Sequence, residues 1–329
     1  MKILSLIYSL ATGGGRILID VIDGFPEANH TVWYQKPFGD LGCSLDVELG
    51  QRGIPHACMP LEEFPHALRE LRPDIVLCHW WSGFRFSRPN WARNPWVVII
   101  HENLPAPDFG DHYVATSRRN HLIQSHLSES KKTVIYNGID LDRIDCIPKE
   151  PNDHFVIGRV SHLHEKKIPE DYIDFACSME IPNVRHHIIG SGRMLARLKE
   201  RVRVLGMEER FYLPGEIPHQ RIMKEIKAFD ISCYLTGHHT EVFSMAILEM
   251  MAAGIPVVAE PRGGIPEQIV HGRNGFLAGS RDEVRSYCEH LYKDRSLRQE
   301  MSYRAREMAR EFDIRLQWKA YQNLVQRLS

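Results

Sequence analysis

Short apolar runs alternate with helical patterns along the whole chain, and this alternation constrains the fold more than any other feature. The runs are MKILSLIY, HTVWYQ, DIVLCHW, WVVIIH and HYVATS in the first half, and FVIGRV, HHIIG, DISCYL and IPVVA in the second. Strands that are buried on both faces give continuous apolar runs, and the helices between them provide parallel crossovers. The sequence therefore predicts an α/β protein with parallel sheets covered by helices.

The length and the spacing of these runs predict two domains. A domain usually holds roughly 100 to 200 residues, and this chain has 329. Residues 144–154 carry two prolines and several charges between two apolar runs, which is typical of a linker. We therefore predict a first domain at residues 1–147 and a second at residues 148–311.

A terminal helix is predicted at residues 312–329. Its apolar residues fall on one face at helical spacing: Ile314, Trp318, Tyr321, Val325 and Leu328. Because this stripe has to be buried, we expect the helix to pack on the first domain.

The charge balance and the cysteines narrow the possible partners. The 41 Lys and Arg residues nearly match the 42 Asp and Glu residues, so no overall field favours nucleic acid or an anionic membrane. The seven cysteines are scattered, which fits a reducing cytoplasm better than a zinc or disulfide framework. The first apolar run spans only about ten residues, too short to cross a membrane. We therefore expect any phosphate group to bind at one specific site and not through the overall charge of the surface.

Two carboxylates, Glu241 and Glu249, stand eight residues apart in a helical pattern. On one helix they would lie about 12 Å apart at roughly 1.5 Å per residue, which suits two parts of one extended ligand. Carboxylates accept paired hydrogen bonds from sugar and ribose hydroxyls. Ser244 is a candidate N-cap, so the amides around Phe243, Ser244 and Met245 could meet a phosphate.

This stretch resembles the E-x7-E signature of the retaining glycosyltransferases of family 4. The residues that match the family pattern are Glu241, Phe243, Glu249, Met251, Ala252, Gly254, Pro256, Val257, Val258, Ala259, Gly263, Gly264, Glu267, Gly272, Asn274 and Gly275. Two positions depart from it: Ser244 replaces the usual glycine, and Met250 replaces the usual alanine. The resemblance implies a GT-B fold, in which two Rossmann-like domains face a cleft and the C-terminal helix returns to the N-terminal domain.

A basic segment, Gly158-Arg159 followed by Lys166-Lys167, resembles the family segment whose Arg and Lys contact the donor diphosphate. Fixed cations stabilise the charge that a nucleoside diphosphate gains as it leaves. The proline after Lys167 favours that lysine over Lys166, although the sequence alone leaves the choice open. In the family picture Glu241 orients the sugar and Glu249 holds the ribose.

The resemblance assigns further donor contacts. His101 ends the run WVVIIH, where the family carries a histidine facing the donor sugar, although a structural histidine is an equal alternative. Gly192 and Arg193 follow a strand near the expected nucleotide, and Gly215 and Glu216 resemble a turn that lines the base pocket. Residues 137–140 match a family segment that we interpret as structural.

A glycine run that includes Gly14 and Gly15 lies between the first strand and a helical run. Glycines allow close approach of the backbone to a ligand, and the helix start favours an anion. A tight turn without a ligand fits equally well, and the absence of GxGxxG spacing argues against NAD or FAD.

Residues 80–96 combine tryptophans, phenylalanines and arginines. Such a segment suits a sugar acceptor or a peripheral membrane contact, while a partial core with a solvated rim is the alternative. The histidine pairs 162/164 and 238/239 lack a third ligand at metal spacing, so we expect no metal and no cofactor.

These patterns predict a cytoplasmic, metal-independent retaining glycosyltransferase that uses a nucleoside-diphosphate sugar and an unidentified acceptor. The sequence is also compatible with two other functions: a nucleotide-sugar epimerase on the same scaffold, and a catalytically silent GT-B scaffold. The base, the sugar, the acceptor and the oligomeric state are left open.

Overall fold

The computed structural model describes residues 1–10, 13–35, 44–149 and 152–329. It divides the chain into two compact units, residues 1–138 together with 314–329, and residues 139–313. Each unit is a parallel sheet with helices, which is the architecture that the alternating apolar runs predict.

The first unit contains a seven-stranded parallel sheet in the order β3-β2-β1-β4-β5-β6-β7. Its strands are β1 (Lys2–Ile7), β2 (Asn29–Tyr34), β3 (His56–Cys58), β4 (Ile75–Trp80), β5 (Trp96–Ile100), β6 (His112–Ala115) and β7 (Lys132–Val134). Its helices before residue 138 are α1 (Gly13–Asp23), α2 (Ser44–Gln51), α3 (Phe64–Leu71) and α4 (Arg118–Ile123). The central strands β4, β5 and β6 are buried along their whole length.

The second unit contains a six-stranded parallel sheet in the order β10-β9-β8-β11-β12-β13. Its strands are β8 (Phe155–Val160), β9 (Val184–Ile189), β10 (Phe211–Gly215), β11 (Ile231–Tyr234), β12 (Val257–Ala259) and β13 (Gly275–Leu277). Its helices are α5 (Leu141–Asp145), α6 (Tyr172–Cys177), α7 (Leu195–Val204), α8 (His219–Lys227), α9 (Met245–Ala252), α10 (Ile265–Gln268), α11 (Arg281–Lys293) and α12 (Arg295–Ala309).

The last helix, α13 (Ile314–Leu328), belongs to the first unit. Tyr321, Leu324 and Val325 pack into the same core cluster as Val21 and Phe25, which come from α1 and the turn after it. The indole of Trp318 donates a hydrogen bond of 2.7 Å to the carbonyl oxygen of Asp20. The predicted apolar stripe is therefore the face that covers α1.

The division between the units lies earlier than the boundary predicted at residues 147 and 148. Residues 139–147 belong to the second unit, because Ile139 pairs with Asp313 and the Lys227 ammonium donates to the carbonyl of Ile147. The two prolines predicted a boundary at a loop whose described residues already contact the second unit. Gly138 is the last residue of the first unit before this division, and its amide donates to Gln317 at 2.7 Å.

The strands that the sequence missed are all short or at the sheet margins. β3, β7 and β13 have three residues each, too few for an apolar run to stand out. The segment predicted as a turn near Gly215 is the end of the edge strand β10. Within the described ranges, no helix is long and apolar enough to cross a membrane.

Candidate functional site

The strand order of the second sheet marks one position for a ligand. β8 is flanked by β9 on one side and by β11 on the other. Successive strands are therefore added towards one edge of the sheet from β8 to β10 and towards the other edge from β11 to β13. In open parallel sheets, ligands bind beyond the carboxyl ends of the strands at such a reversal. The loops that leave β8 and β11 there carry Lys167 and Glu241, two of the predicted site residues.

Lys167 and Glu241 form an ion pair at this point. The ammonium lies 3.0 Å from Oε1 and 3.3 Å from Oε2 of the carboxylate. The Glu241 side chain is 7% exposed and that of Lys167 is 31% exposed. The carboxylate is therefore embedded, while part of the cation remains open to solvent and to a ligand.

Glu241 stays ionised in spite of its burial. Burial alone would raise the pKa of its carboxyl, but the hydrogen bond from His239 and the charge of Lys167 outweigh it and lower that pKa to about 2. The hydroxyl of Tyr234 also donates to Oε1 at 3.0 Å. These three side chains thus hold one carboxylate in its charged form.

Backbone contacts lock the lysine loop onto the loop that follows β11. The amide of His239 donates to the carbonyl oxygen of Lys166 at 2.8 Å. A Cβ added to Gly237 would lie 2.1 Å from the carbonyl oxygen of Glu165, so only glycine allows this approach. The side chain of Lys166 is exposed and that of Lys167 faces Glu241, a difference between the two lysines that the sequence left open.

Arg159 lies beneath this loop and not at its surface. Its guanidinium is fully buried and sits 4.6 Å above the ring centroid of Tyr234. It donates to the carbonyl oxygen of Lys167 and to the hydroxyl of Ser161. In this conformation it fixes the position of Lys167, and its direct contact with a diphosphate stays a prediction.

Helix α9 begins after Glu241 and not at it. Ser244 is the N-cap, as predicted, and its hydroxyl accepts from the amide of Ile247 at 3.4 Å. Because Glu241 precedes the helix, the 12 Å spacing to Glu249 expected along one helix does not apply. Glu249 lies partly buried inside α9. The helix start carries free amide groups and a partial positive charge, both suited to a phosphate.

The segment around Ser244 is held on both sides. Ser244 exchanges two hydrogen bonds with the side chain of Gln268, at 3.0 and 2.8 Å. The ring of Phe243 packs edge-on against Phe312 at 5.1 Å between centroids, and Met245 is partly buried. These contacts fix the backbone from which α9 starts.

The loops after β9 and β10 form a second predicted part of the site. Gly190 and Gly192 have φ values of 137° and 142°, and an added Cβ at Gly192 would lie 2.3 Å from the carbonyl oxygen of Leu163. The Ser191 hydroxyl donates to the Glu216 carboxylate at 3.0 Å. Gly215 has a φ of 84°, and its carbonyl accepts from Gly190 at 2.9 Å.

Arg193 extends from the same loop with a 65% exposed side chain. Its guanidinium donates to the Glu165 carboxylate at 2.7 Å, and it lies 2.7 Å from Nε2 of His164. Arg193 is therefore tied to the lysine loop, at a solvent-facing position that a ligand could reach.

In the first unit, His101 follows β5 at the carboxyl edge of the sheet. It is 7% exposed, and burial lowers the pKa of its imidazole to about 4, so the ring is neutral at physiological pH. Its Nε2 atom lies 3.0 Å from Nδ1 of His79.

The glycine run is the first turn of α1 and not a loop before it, which corrects the predicted placement. Gly14 lies within this turn, and Thr12 falls outside the described residues. A Cβ added to Gly15 would lie 2.4 Å from the carbonyl oxygen of Leu10 and 2.5 Å from Cδ1 of Leu45. Close packing therefore explains Gly15 without a ligand.

Most aromatic residues of the segment 80–96 are core residues. Trp80, Phe84, Phe86 and Trp96 are buried in one cluster of the first unit. Trp91 is exposed, with the guanidinium of Arg69 4.5 Å above its ring centroid. The buried rings form part of the core of the first unit, and Trp91 lies on the exposed rim of the segment.

Sequence reasoning missed Tyr234 and His239 as partners of Glu241. His239 was considered only as a metal ligand, although it stands two residues before the carboxylate. The sequence does indicate this contact, because His239 and Glu241 lie two residues apart in the loop that follows a buried strand. Among the described residues, no group of three or more His, Cys, Asp or Glu side chains could hold a metal ion.

Comparison with known proteins identifies the fold. A solved structure of HepE from Anabaena in complex with UDP-glucose superposes with a TM-score of 0.81 at 23% identity, covering 98% of this chain and 99% of that one. The likeness shows that the fold is GT-B, the class that the sequence predicts.

The family model for glycosyl transferases group 1 matches residues 142–308, about half of the chain. This chain therefore belongs to that family. The matched range contains both carboxylates of the E-x7-E pattern and the basic segment from Arg159 to Lys167.

Two curated relatives match part of this chain. N-acetyl-alpha-D-glucosaminyl L-malate synthase of Bacillus anthracis is 28% identical over 159 residues, 47% of this chain and 41% of that protein. Lipopolysaccharide 1,6-galactosyltransferase of Salmonella typhimurium is 26% identical over 235 residues, 65% of this chain and 64% of that protein. The chain therefore spans less than two thirds of the length of either relative.

Proposed function

We propose that this protein is a retaining glycosyltransferase that takes a sugar from a nucleoside-diphosphate sugar, without a metal ion, and passes it to an acceptor hydroxyl. The observation that carries the proposal is the Lys167–Glu241 ion pair at the strand reversal of the second sheet. The Lys167 ammonium is partly exposed to solvent, and the Glu241 carboxylate is held in the charged form. Helix α9 begins shortly after Glu241 in the chain.

The diphosphate is assigned to Lys167 and to the start of α9. Negative charge develops on the leaving diphosphate as the glycosidic bond breaks, so a fixed cation stabilises the transition state more than the ground state. Arg159 supports this role from below, through the carbonyl oxygen of Lys167. Because the cation and the helix start supply the positive charge, no metal ion is needed to neutralise the leaving group.

The sugar is assigned to Glu241 and the ribose to Glu249. An ionised carboxylate accepts hydrogen bonds from two hydroxyls at once, which orients a pyranose ring. Tyr234 and His239 keep the Glu241 carboxylate in one orientation. Retention is inferred from the family resemblance, with attack and departure on one face of the sugar, and no protein nucleophile is assigned.

The first test is a thermal-shift panel of UDP, GDP, ADP and dTDP with their sugars in the absence of metal. UDP and UDP-glucose head the panel because the structural relative HepE holds UDP-glucose. A ligand at 100 times its Kd stabilises the folded state by about 2.7 kcal/mol. We expect one nucleotide family to raise the melting temperature.

A matched pair of variants then tests the site. Lys167→Met should lower kcat/KM by about 10² to 10³, the usual cost of removing one charge-stabilising donor. Lys166→Met removes the same charge from an exposed neighbour, so it should change the rate by less than about threefold. Equal rates for the wild type and Lys167→Met would contradict the proposal, as would damage confined to Lys166→Met.

We further infer that the protein works in the cytoplasm and touches the inner membrane face through residues 80–96. The exposed ring of Trp91 and the exposed side chains of Arg85 and Arg93 support this contact. Pelleting with anionic phospholipid vesicles tests it, with Trp91→Ala as the variant. Tyr303→Ala is the control, since Tyr303 is an exposed aromatic of the second unit that also carries an arginine over its ring. Pelleting that Trp91→Ala leaves unchanged would remove this contact.

A further inference from the structure

His79 and His101 form a buried pair at the carboxyl edge of the first sheet. His79 lies near the end of β4, and His101 is the first residue after the neighbouring β5. Nδ1 of His79 lies 3.0 Å from Nε2 of His101, and the two rings are 8° from parallel. The indole of Trp81 stacks on His101 with 5.9 Å between centroids.

Neither imidazole of this pair carries a charge at neutral pH. His79 is 0% exposed, and burial together with the neighbouring His101 holds the pKa of its ring well below its usual range. Burial also lowers the pKa of the His101 ring to about 4. Each ring therefore holds one proton, and the hydrogen bond between them needs one donor and one acceptor.

The surroundings of His79 decide which ring donates. Its other nitrogen, Nε2, is buried and has no hydrogen-bond partner. If His101 donated from Nε2, the proton of His79 would sit on this buried Nε2 as an orphaned N–H. Orphaned buried N–H donors are rarer than under-satisfied acceptors in folded proteins. The favoured arrangement has His79 Nδ1–H donating to His101 Nε2.

This choice has a consequence for His101. When Nε2 accepts from His79, the single proton of the His101 ring must lie on Nδ1. The nitrogen that does not face His79 is then a hydrogen-bond donor. Oxygens of sugars and phosphates accept hydrogen bonds, so a donor is the form of His101 that suits a nucleotide-sugar.

We propose that His79 is a positioning residue that fixes the tautomer of His101, so that His101 offers its Nδ1–H to an oxygen of the donor substrate. The substrate half of this proposal rests on the proposed function and on the family resemblance, which implies that His101 faces the donor sugar. The tautomer half rests only on the contacts of the two rings. No proton moves in the proposed role: His79 donates one hydrogen bond and selects which one His101 can donate.

Two substitutions separate the hydrogen bond from the packing. His79→Asn places an amide N–H where Nδ1 stood, so it can still donate to His101. His79→Leu has a similar volume and no donor. His112→Leu is the matched control, because His112 is also buried, lies at the opposite end of the same sheet in β6 and has an unpartnered Nε2.

The first readout needs no substrate. Long-range ¹H–¹⁵N correlation spectra of histidine-labelled protein report which nitrogen of each neutral ring carries the proton. We expect the His101 resonances to show Nδ1–H in the wild type, in His79→Asn and in His112→Leu, and to show a mixture or Nε2–H in His79→Leu. Nε2–H on His101 in the wild type would overturn the proposal.

The second readout is the rate. We expect His79→Leu to lower kcat by about 10 to 100-fold with a smaller change in KM, because the lost donor matters most as charge develops. His79→Asn and His112→Leu should stay within about threefold of the wild type. A wild-type kcat in His79→Leu would overturn the positioning role. If no nucleotide-sugar is turned over by the wild type, the proposed function fails, and the spectra still decide the tautomer.

Discussion

The charge state of Glu241 gives a quantitative prediction about stability and pH. The carboxyl has a pKa of about 2 in the folded protein, against a usual value of 4.5. A difference of one unit corresponds to about 1.4 kcal/mol, so the folded state gains about 3 kcal/mol from this group at pH 7. Because the folded pKa is the lower one, this contribution is complete above pH 4.5 and is lost as the pH falls towards 2.

The perturbation is Glu241→Gln, which removes the titration and keeps the shape of the side chain. Between pH 7 and pH 3 the free energy of unfolding of the wild type should fall by about 2 kcal/mol more than that of the variant. The physical reason is that the unfolded chain takes up a proton on Glu241 in this range, whereas the folded carboxylate, held by Lys167 and His239, stays largely ionised.

The assay has to report on the second unit. All six tryptophans lie at positions 33, 80, 81, 91, 96 and 318, which belong to the first unit, so indole fluorescence does not follow the second. Hydrogen exchange pulsed during urea unfolding, with peptides from residues 139–313 analysed by mass, follows the second unit directly. Tryptophan fluorescence serves as the internal control, since the first unit should respond equally in both proteins. A pH-independent difference between the two proteins would refute the proposed ionisation of Glu241.

Other substitutions test the backbone around the site, each by thermal or urea unfolding. Gly263→Ala should destabilise the second unit by more than about 2 kcal/mol, because φ is 62° and the added Cβ would lie 1.9 Å from the carbonyl oxygen of Glu241. Gly272→Ala is its control: φ is 75° but nothing lies within 4 Å, so about 1 kcal/mol is expected, and equal losses would contradict the steric argument. Ser244→Val should cost about 1 kcal/mol through the lost N-cap, whereas Ser244→Gly should cost a few tenths. Gly15→Ala should destabilise the first unit by about 1 to 3 kcal/mol through overpacking, and an unchanged stability would point away from tight packing there.

The sequence predicted two parallel sheets and most of their strands, because buried parallel strands are continuous apolar runs. It also located Lys167 and Glu241, since the family resemblance and the chemistry of phosphate both point to them. It also indicated the start of α9, because Ser244 is a typical N-cap residue. The expected spacing between Glu241 and Glu249 was wrong, because it placed Glu241 on this helix although Glu241 precedes the N-cap.

The burial of Arg159 shows another limit of sequence reasoning. A guanidinium next to a strand end suits a ligand contact and a structural contact equally well. The rings of Tyr172 and Tyr234 cover it, and Tyr234 comes from a strand that is distant in the sequence. The pairing of His79 with His101 likewise depends on which strands are neighbours and not on local pattern.

The placement of α13 in the first unit sets an order of events during synthesis. Residues 139–313 form a continuous segment that can fold as soon as it leaves the ribosome, whereas the first unit has to wait for α13. At translation rates of roughly 5 to 20 residues per second, α1 stays without its cover for about 15 to 60 s. During that time the apolar face that includes Ile17, Val21 and Phe25 is open to chaperones or to other nascent chains. A truncation that removes α13 would hold the protein permanently in this exposed intermediate.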